Sequence, residues 1–160
     1  MRCARESQIR EQFYFEDFTV GQKFRSGSFR MERNRIIEFA QEFDPQPQHV
    51  GEESAASSNF GELVASGWHT AALSMRLFIQ DALPSIPGGG QGLGVESLTW
   101  PHPVRPGDEL TVEVEVLATR PSRSRPGQGI VKVRNITSNA EGRVVENMTT
   151  SFLAPRRRLA

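Results

Sequence analysis

Residues 67–82 constrain this chain more than any other stretch. Trp68, Ala71, Ala72, Met75, Phe78, Ile79 and Ala82 recur at helical spacing, and Leu73 and Leu77 extend the apolar surface almost all the way round. A helix that apolar is normally buried, so other parts of the chain must wrap it. At ~1.5 Å per residue it would run about 24 Å, roughly the depth of a small domain. Gly67 opens it, and Pro84 and Pro87 close it.

The C-terminal half of the chain can supply the wrapping. Residues 93–100 read as a strand leading through Pro101-His102-Pro103 to a Pro106-Gly107-Asp108 turn. Leu110, Val112, Val114 and Val116 then alternate with Thr111, Glu113 and Glu115, the pattern of a half-buried strand. A loop rich in Arg, Ser, Pro and Gly (121–129) separates it from residues 130–138, and Ala140-Glu141-Gly142 turns into 143–153. Upstream, 22–31 is extended. Residues 34–43 carry Ile36, Ile37, Phe39, Ala40 and Phe43 at helical spacing. Pro45 disfavours the helical conformation at Asp44 and stops that helix. A short helical turn is expected within 51–58. One long apolar helix plus consecutive antiparallel strands gives an α+β class, a curved sheet around a central helix. The expected organisation is a flexible N-terminal tail (1–12), one domain (13–154) and a basic C-terminal tail (155–160) carrying Arg156, Arg157 and Arg158.

Composition removes several function classes. With 19 basic against 19 acidic residues, no net field draws the chain to nucleic acid or an anionic membrane. The single cysteine, Cys3, can form no internal disulfide and suits a reducing compartment. Residues 1–12 lack the apolar stretch of a secretory signal, and no apolar run approaches the ~18 residues of a membrane span. A soluble cytoplasmic protein is the expectation. Asn135-Ile136-Thr137 and Asn147-Met148-Thr149 match the glycosylation sequon but are expected to be ordinary strand residues.

The chemistry concentrates in Asp44-Pro45-Gln46-Pro47-Gln48-His49 and Ala65-Ser66-Gly67-Trp68-His69-Thr70. Asp44 and His49 could lie up to ~17 Å apart in an extended chain. If the chain folds back they could hold one water, abstract its proton and deliver a proton, a role worth ~10²–10⁴ in rate. Taken by spacing alone, an Asp ending a helix and a surface His remain the commoner explanation. Gly67, at a helix start, offers backbone N–H groups and the positive end of the helix dipole to a developing oxyanion. The ordinary alternative is that Ser66 caps the helix and Gly67 eases its entry.

His69 is expected to be a packed, hydrogen-bonded histidine and His102 a structural one. No pair of ligands has the spacing of a typical metal site. The glycines of 88–94 precede strand rather than helix, unlike a dinucleotide loop. Arg123 and Arg125 read as solvated charges rather than phosphate ligands.

Phe43-Asp44-Pro45-Gln46-Pro47-Gln48-His49, the run Phe60-Gly61-Glu62-Leu63-Val64-Ala65-Ser66-Gly67-Trp68-His69-Thr70, and Pro103-Val104-Arg105-Pro106-Gly107-Asp108 resemble the MaoC-like acyl dehydratases, relatives of the (R)-specific enoyl-CoA hydratases. The resemblance covers roughly residues 14–153. It implies a hotdog fold paired into a homodimer, possibly assembled further, and hydration of a trans-2-enoyl-CoA or the reverse dehydration. Asp44 and His49 would be the catalytic pair and the Gly67 N–H the donor to the thioester oxygen. Gln46, Ser66, Trp68 and Met75 would contact substrate, which is an acyl-CoA, and neither metal nor redox cofactor would be needed. Two departures stand out. Gln46 occupies a position where hydratases commonly have Asn, and the hydroxyl-bearing position further along the helix falls at Met75, beside Ser74. A hotdog thioesterase, or a non-catalytic module that binds an acyl thioester, are the alternatives.

Overall fold

A computed structural model describes residues 11–157. The stretch 67–82 is helical throughout. It is an α-helix over Gly67–Leu77 that widens into a π-helical turn over Phe78–Ala82. In chain order the structure comprises β1 (Lys23–Arg25), β2 (Phe29–Arg30), α1 (Arg33–Phe43), α2 (Pro47–Val50), α3 (Glu52–Ala56), α4 (Gly67–Leu77), β3 (Gln91–Thr99), β4 (Glu109–Pro121), β5 (Gln128–Ser138) and β6 (Val144–Pro155). The strands form one antiparallel sheet ordered β1-β4-β5-β6-β3, with β2 also pairing β4. This is the hotdog arrangement of a central helix in a curved sheet.

Alternation decides which side of the sheet meets α4. Leu110, Val112, Val114 and Val116 on β4, with Val131 and Val133 on β5, are completely buried and form the core with Leu73, Leu77 and Phe78. The expected extended stretch 22–31 is two short strands interrupted at Ser26, whose Oγ accepts the Val112 N–H at 2.8 Å. That side chain replaces a ladder bond the break would otherwise lose.

The apolar stripe of the central helix needs correction. Its buried face is Thr70, Leu73, Ser74, Leu77 and Phe78, whereas Trp68, Met75 and Ile79 are exposed. Thr70 and Ser74 are tolerated inside because each hydroxyl has a partner: Thr70 Oγ1 donates to Ser66 O, and Ser74 Oγ lies 2.7 Å from Thr137 Oγ1. Of the sequon residues, Asn135 is fully buried in β5 and Asn147 lies in β6.

Glu11 and Gln12, expected in the tail, are tied to the body. The Ser85 N–H donates to Glu11 O at 3.0 Å, and Gln12 bridges Ser85. At the other end Arg156 and Arg157 pair with Glu16 and Asp17. The remainder of both expected tails, including Cys3 and Arg158, lies outside the described residues. Among the described residues, no helix is long and apolar enough to cross a membrane.

Candidate active site

The chain does fold back between Asp44 and His49. Helix α1 ends at Asp44, whose N–H still donates to Ala40 O. Asp44 O then accepts from Gln46 N–H at 2.8 Å, and Gln46 O accepts from His49 N–H at 2.9 Å. Pro47 opens α2 at the first helical position, where its missing N–H costs nothing. His49 therefore sits in a single helical turn rather than in a loop.

That turn is pinned to the segment before α4. The Val64 N–H donates to Gln48 O at 3.0 Å, and His49 Nδ1 lies 2.7 Å from Val64 O. A carbonyl only accepts, so Nδ1 carries the proton and Nε2 of the neutral ring presents its lone pair. His49 is 6% exposed, and its Nε2 lies 3.7 Å from Asp44 Oδ2. The separation is too long for a direct hydrogen bond.

Asp44 is held on both oxygens. Ser66 Oγ donates to Oδ2 at 2.6 Å, and Gln46 Nε2 donates to Oδ1 at 2.8 Å. The Ser66 bond foremost, then that of Gln46 and the proximity of His49, hold the carboxyl below its usual range against the opposing effect of burial. Ser66 also accepts the Trp68 N–H at 3.2 Å and so caps α4. The hydroxyl, expected to contact substrate, joins the helix start to the carboxylate.

Gly67 is the first residue of α4, where N–H groups have no partner within the helix. A Cβ there would stand 2.7 Å from the Trp100 ring, so glycine is required by close packing of an indole. Asp44, Gln46, His49, Gly67, Trp68 and Trp100 all line one cleft of about 460 Å³. Trp68 and Trp100 meet edge to face at 5.4 Å.

Met75 does not join them. It borders a separate cavity of about 100 Å³ with Phe78 and Phe152, because it lies about two turns further along α4 than Trp68. His69 is packed, stacked on Phe39 at 4.6 Å, but its Nδ1 has no hydrogen-bond partner, contrary to the expected bond. Burial foremost, with Arg35 adding repulsion, lowers its pKa to about 4, so the ring is neutral near pH 7. His102 borders the cleft and is anchored through Nδ1, 2.9 Å from Val144 O. Arg125 reaches Gln91 at the sheet edge. Sequence reasoning missed Trp100 as a wall of the site. Its only signal was an aromatic placed directly before Pro101-His102-Pro103.

Residues 16–139 match the family model described as MaoC like domain. The chain belongs to the MaoC-like dehydratase family. A crystal structure of a MaoC-like dehydratase from Rhodospirillum rubrum is 49% identical, with a TM-score of 0.86 over 92% of this chain and 99% of that one. Among curated relatives, the uncharacterized protein YdeM of Bacillus subtilis is 39% identical over 70% of this chain and 79% of its own length. The 3-hydroxybutyryl-CoA dehydratase of Methylorubrum extorquens is 34% identical, covering 70% of this chain and 69% of its own. This MaoC-like chain thus shares its domain with a dehydratase that acts on an acyl-CoA.

Proposed function

We propose that this chain adds water across the double bond of a trans-2-enoyl-CoA to give a 3-hydroxyacyl-CoA, or runs the reverse dehydration. The supporting observation is the placement of His49 Nε2 and Asp44 Oδ2, 3.7 Å apart, on the cleft that the start of α4 also lines. One water fits between those two atoms within hydrogen-bonding reach of both.

The environments of the pair divide their roles. Asp44 is a weakened base, since two hydrogen bonds stabilise its ionised form. His49 Nε2 accepts the water proton, and Asp44 stabilises the imidazolium that results. The water oxygen bonds to the β-carbon, electrons move onto the thioester oxygen, and the Gly67 N–H stabilises that enolate. Collapse of the enolate takes the proton from His49 onto the α-carbon. The water has then been added in full, and neither a metal nor a redox cofactor enters the balance. Gln46 and Trp68 orient the acyl group.

A homodimer is part of the proposal. Trp68 and Ile79 of the central helix, with Leu93 and Val95 of the edge strand β3, are each about half exposed or more, between 48% and 61%. Light scattering would report the mass.

The deciding experiment incubates purified protein with short- and medium-chain enoyl-CoAs and reads products by mass spectrometry for gain of one water. Asp44→Asn and His49→Ala should each lower the rate by ~10²–10⁴. Unchanged substrate, or variants as active as the parent, refutes the reading. Release of free CoA would instead indicate thioester hydrolysis.

A further inference from the structure

Among the described residues, Glu146 is the one carboxylate residue that is fully buried. It pairs across the ladder with Thr137, whose Oγ1 meets Ser74 of α4, so Glu146 projects toward the central helix. Its Oε2 accepts from Trp100 Nε1 at 3.1 Å, while Oε1 has no hydrogen-bond partner. Burial pushes the carboxyl up, opposed in part by Ser74 and Trp100. An acid in such a place is costly to fold, and a leucine would fill the same core without that cost.

The other end of the contact is the cleft wall. Three ring carbons of Trp100 lie 2.7–2.9 Å from where a Gly67 Cβ would stand, so the indole is seated directly on the start of α4. Trp100 itself is 38% exposed and comes directly after the last residue of β3, with a proline after it. Packing on one face does not fix how far such a ring rotates. The Nε1 bond does.

We propose that Glu146 is a positioning residue that locks the Trp100 indole against Gly67 and thereby sets the width of the cleft beside the Gly67 N–H. Its catalytic consequence rests on the hydratase reading; its geometric consequence does not. A flat, fixed wall next to the oxyanion donor keeps a conjugated acyl group in one plane, with its β-carbon toward His49. A mobile wall forfeits part of that orientation, and misplacement of about an ångström is expensive in rate.

The first arm of the test reads geometry alone. The chain has 2 tryptophans, so in a Trp68→Phe background Trp100 is the sole indole emitter. Acrylamide should quench it several-fold faster in Glu146→Leu, with Glu146→Gln, which retains an acceptor oxygen, matching the parent. Equal quenching in all three overturns the proposal, whether or not the protein is an enzyme.

The second arm reads turnover of an enoyl-CoA in the otherwise native chain. Glu146→Leu should lower kcat/KM about tenfold, chiefly through kcat. Trp100→Phe, which lacks the N–H, should do the same, and the double variant should lose no more. Glu146→Gln should restore the rate to within about twofold. A Gln variant that melts no lower than the parent yet is as slow as the Leu variant overturns the proposal. A parent with no hydratase activity refutes the reading of function and leaves the quenching arm to decide this one.

Discussion

Ser66 Oγ donates to Asp44 Oδ2 at 2.6 Å while accepting the Trp68 N–H at 3.2 Å. One hydroxyl thus links a carboxylate at the end of α1 to the first turn of α4, across residues distant in sequence. Stability of the central helix and ionisation of the proposed catalytic carboxylate are coupled through it.

Removing that hydroxyl should show in both. Ser66→Ala costs about 1 kcal/mol of stability as a lost helix cap. It also raises the Asp44 pKa by deleting the largest influence that lowers it. A carboxyl depressed in the folded state stabilises above its unfolded pKa of ~3.9, and that contribution is lost as pH falls through the folded value. The destabilisation by Ser66→Ala should therefore be full near pH 7 and shrink in acid. The steeper acidic fall of the kcat/KM profile, where Asp44 itself takes up a proton, should begin at higher pH. Melting curves and a pH-rate series check the two halves.

Gly67→Ala should be worse than a propensity scale suggests. Alanine favours a helix, but its Cβ would collide with the Trp100 ring at 2.7 Å. Overpacking of this kind costs ~1–3 kcal/mol. A Trp100→Leu partner substitution should recover most of that stability without restoring turnover. Calorimetry of the single and double variants tests it, and a stable Gly67→Ala single variant would contradict the packing argument.

His69 makes the fold acid-sensitive in a defined window. Its pKa falls from 6.5 unfolded to about 4 folded, so between those values the unfolded chain binds the extra proton. Stability should therefore be complete above pH 6.5, decline as pH drops toward 4, and level off for this group below that. His69→Phe, which keeps the stack on Phe39, should flatten that part of the curve. Denaturant midpoints across the window measure it.

Glu146 acts with the opposite sign. Its folded pKa is raised, so the folded state holds a proton that the unfolded chain releases above ~4.3. This contribution falls as pH rises from there toward the folded value. Glu146→Gln should consequently be more stable than the parent at neutral pH, with the difference vanishing near about pH 4. Melting temperatures at the two pH values check the prediction.

The backbone of the fold was largely legible in residue order. The alternation from Leu110 to Val116 specified a half-buried strand, and the structure buries all four valine and leucine side chains completely. Pro45 stopped α1 at Asp44, and the apolar run after Gly67 is helical to Ala82. These features depend on local sterics and on a period, and both are written along the chain. Less legible was which way the central helix faces. Trp68, Met75 and Ile79 are apolar and exposed while Thr70 and Ser74 are polar and buried. Residue type records affinity for an apolar contact, not which surface supplies that contact.

Gln46 shows how far a motif can reach. In sequence it was a departure from the usual Asn; in space its Nε2 still bonds Asp44 Oδ1 at 2.8 Å. The longer side chain spans the gap because the turn at Pro45 places it beside the carboxylate.

By itself the sequence determined the sheet-wrapped helix, the prolines that bend the chain between Asp44 and His49, and the glycine that opens α4. Only the tertiary structure decided that Asp44 Oδ2 and His49 Nε2 stand 3.7 Å apart, and that Ser66 is committed to the carboxylate. It alone placed Trp100, held by Glu146, on Gly67. The physical reason is range. Turns and periodicity arise from neighbouring residues, whereas Ser66 joins the end of α1 to α4, and Trp100, just past β3, meets both β6 and α4, so these contacts depend on how the whole chain closes around the helix.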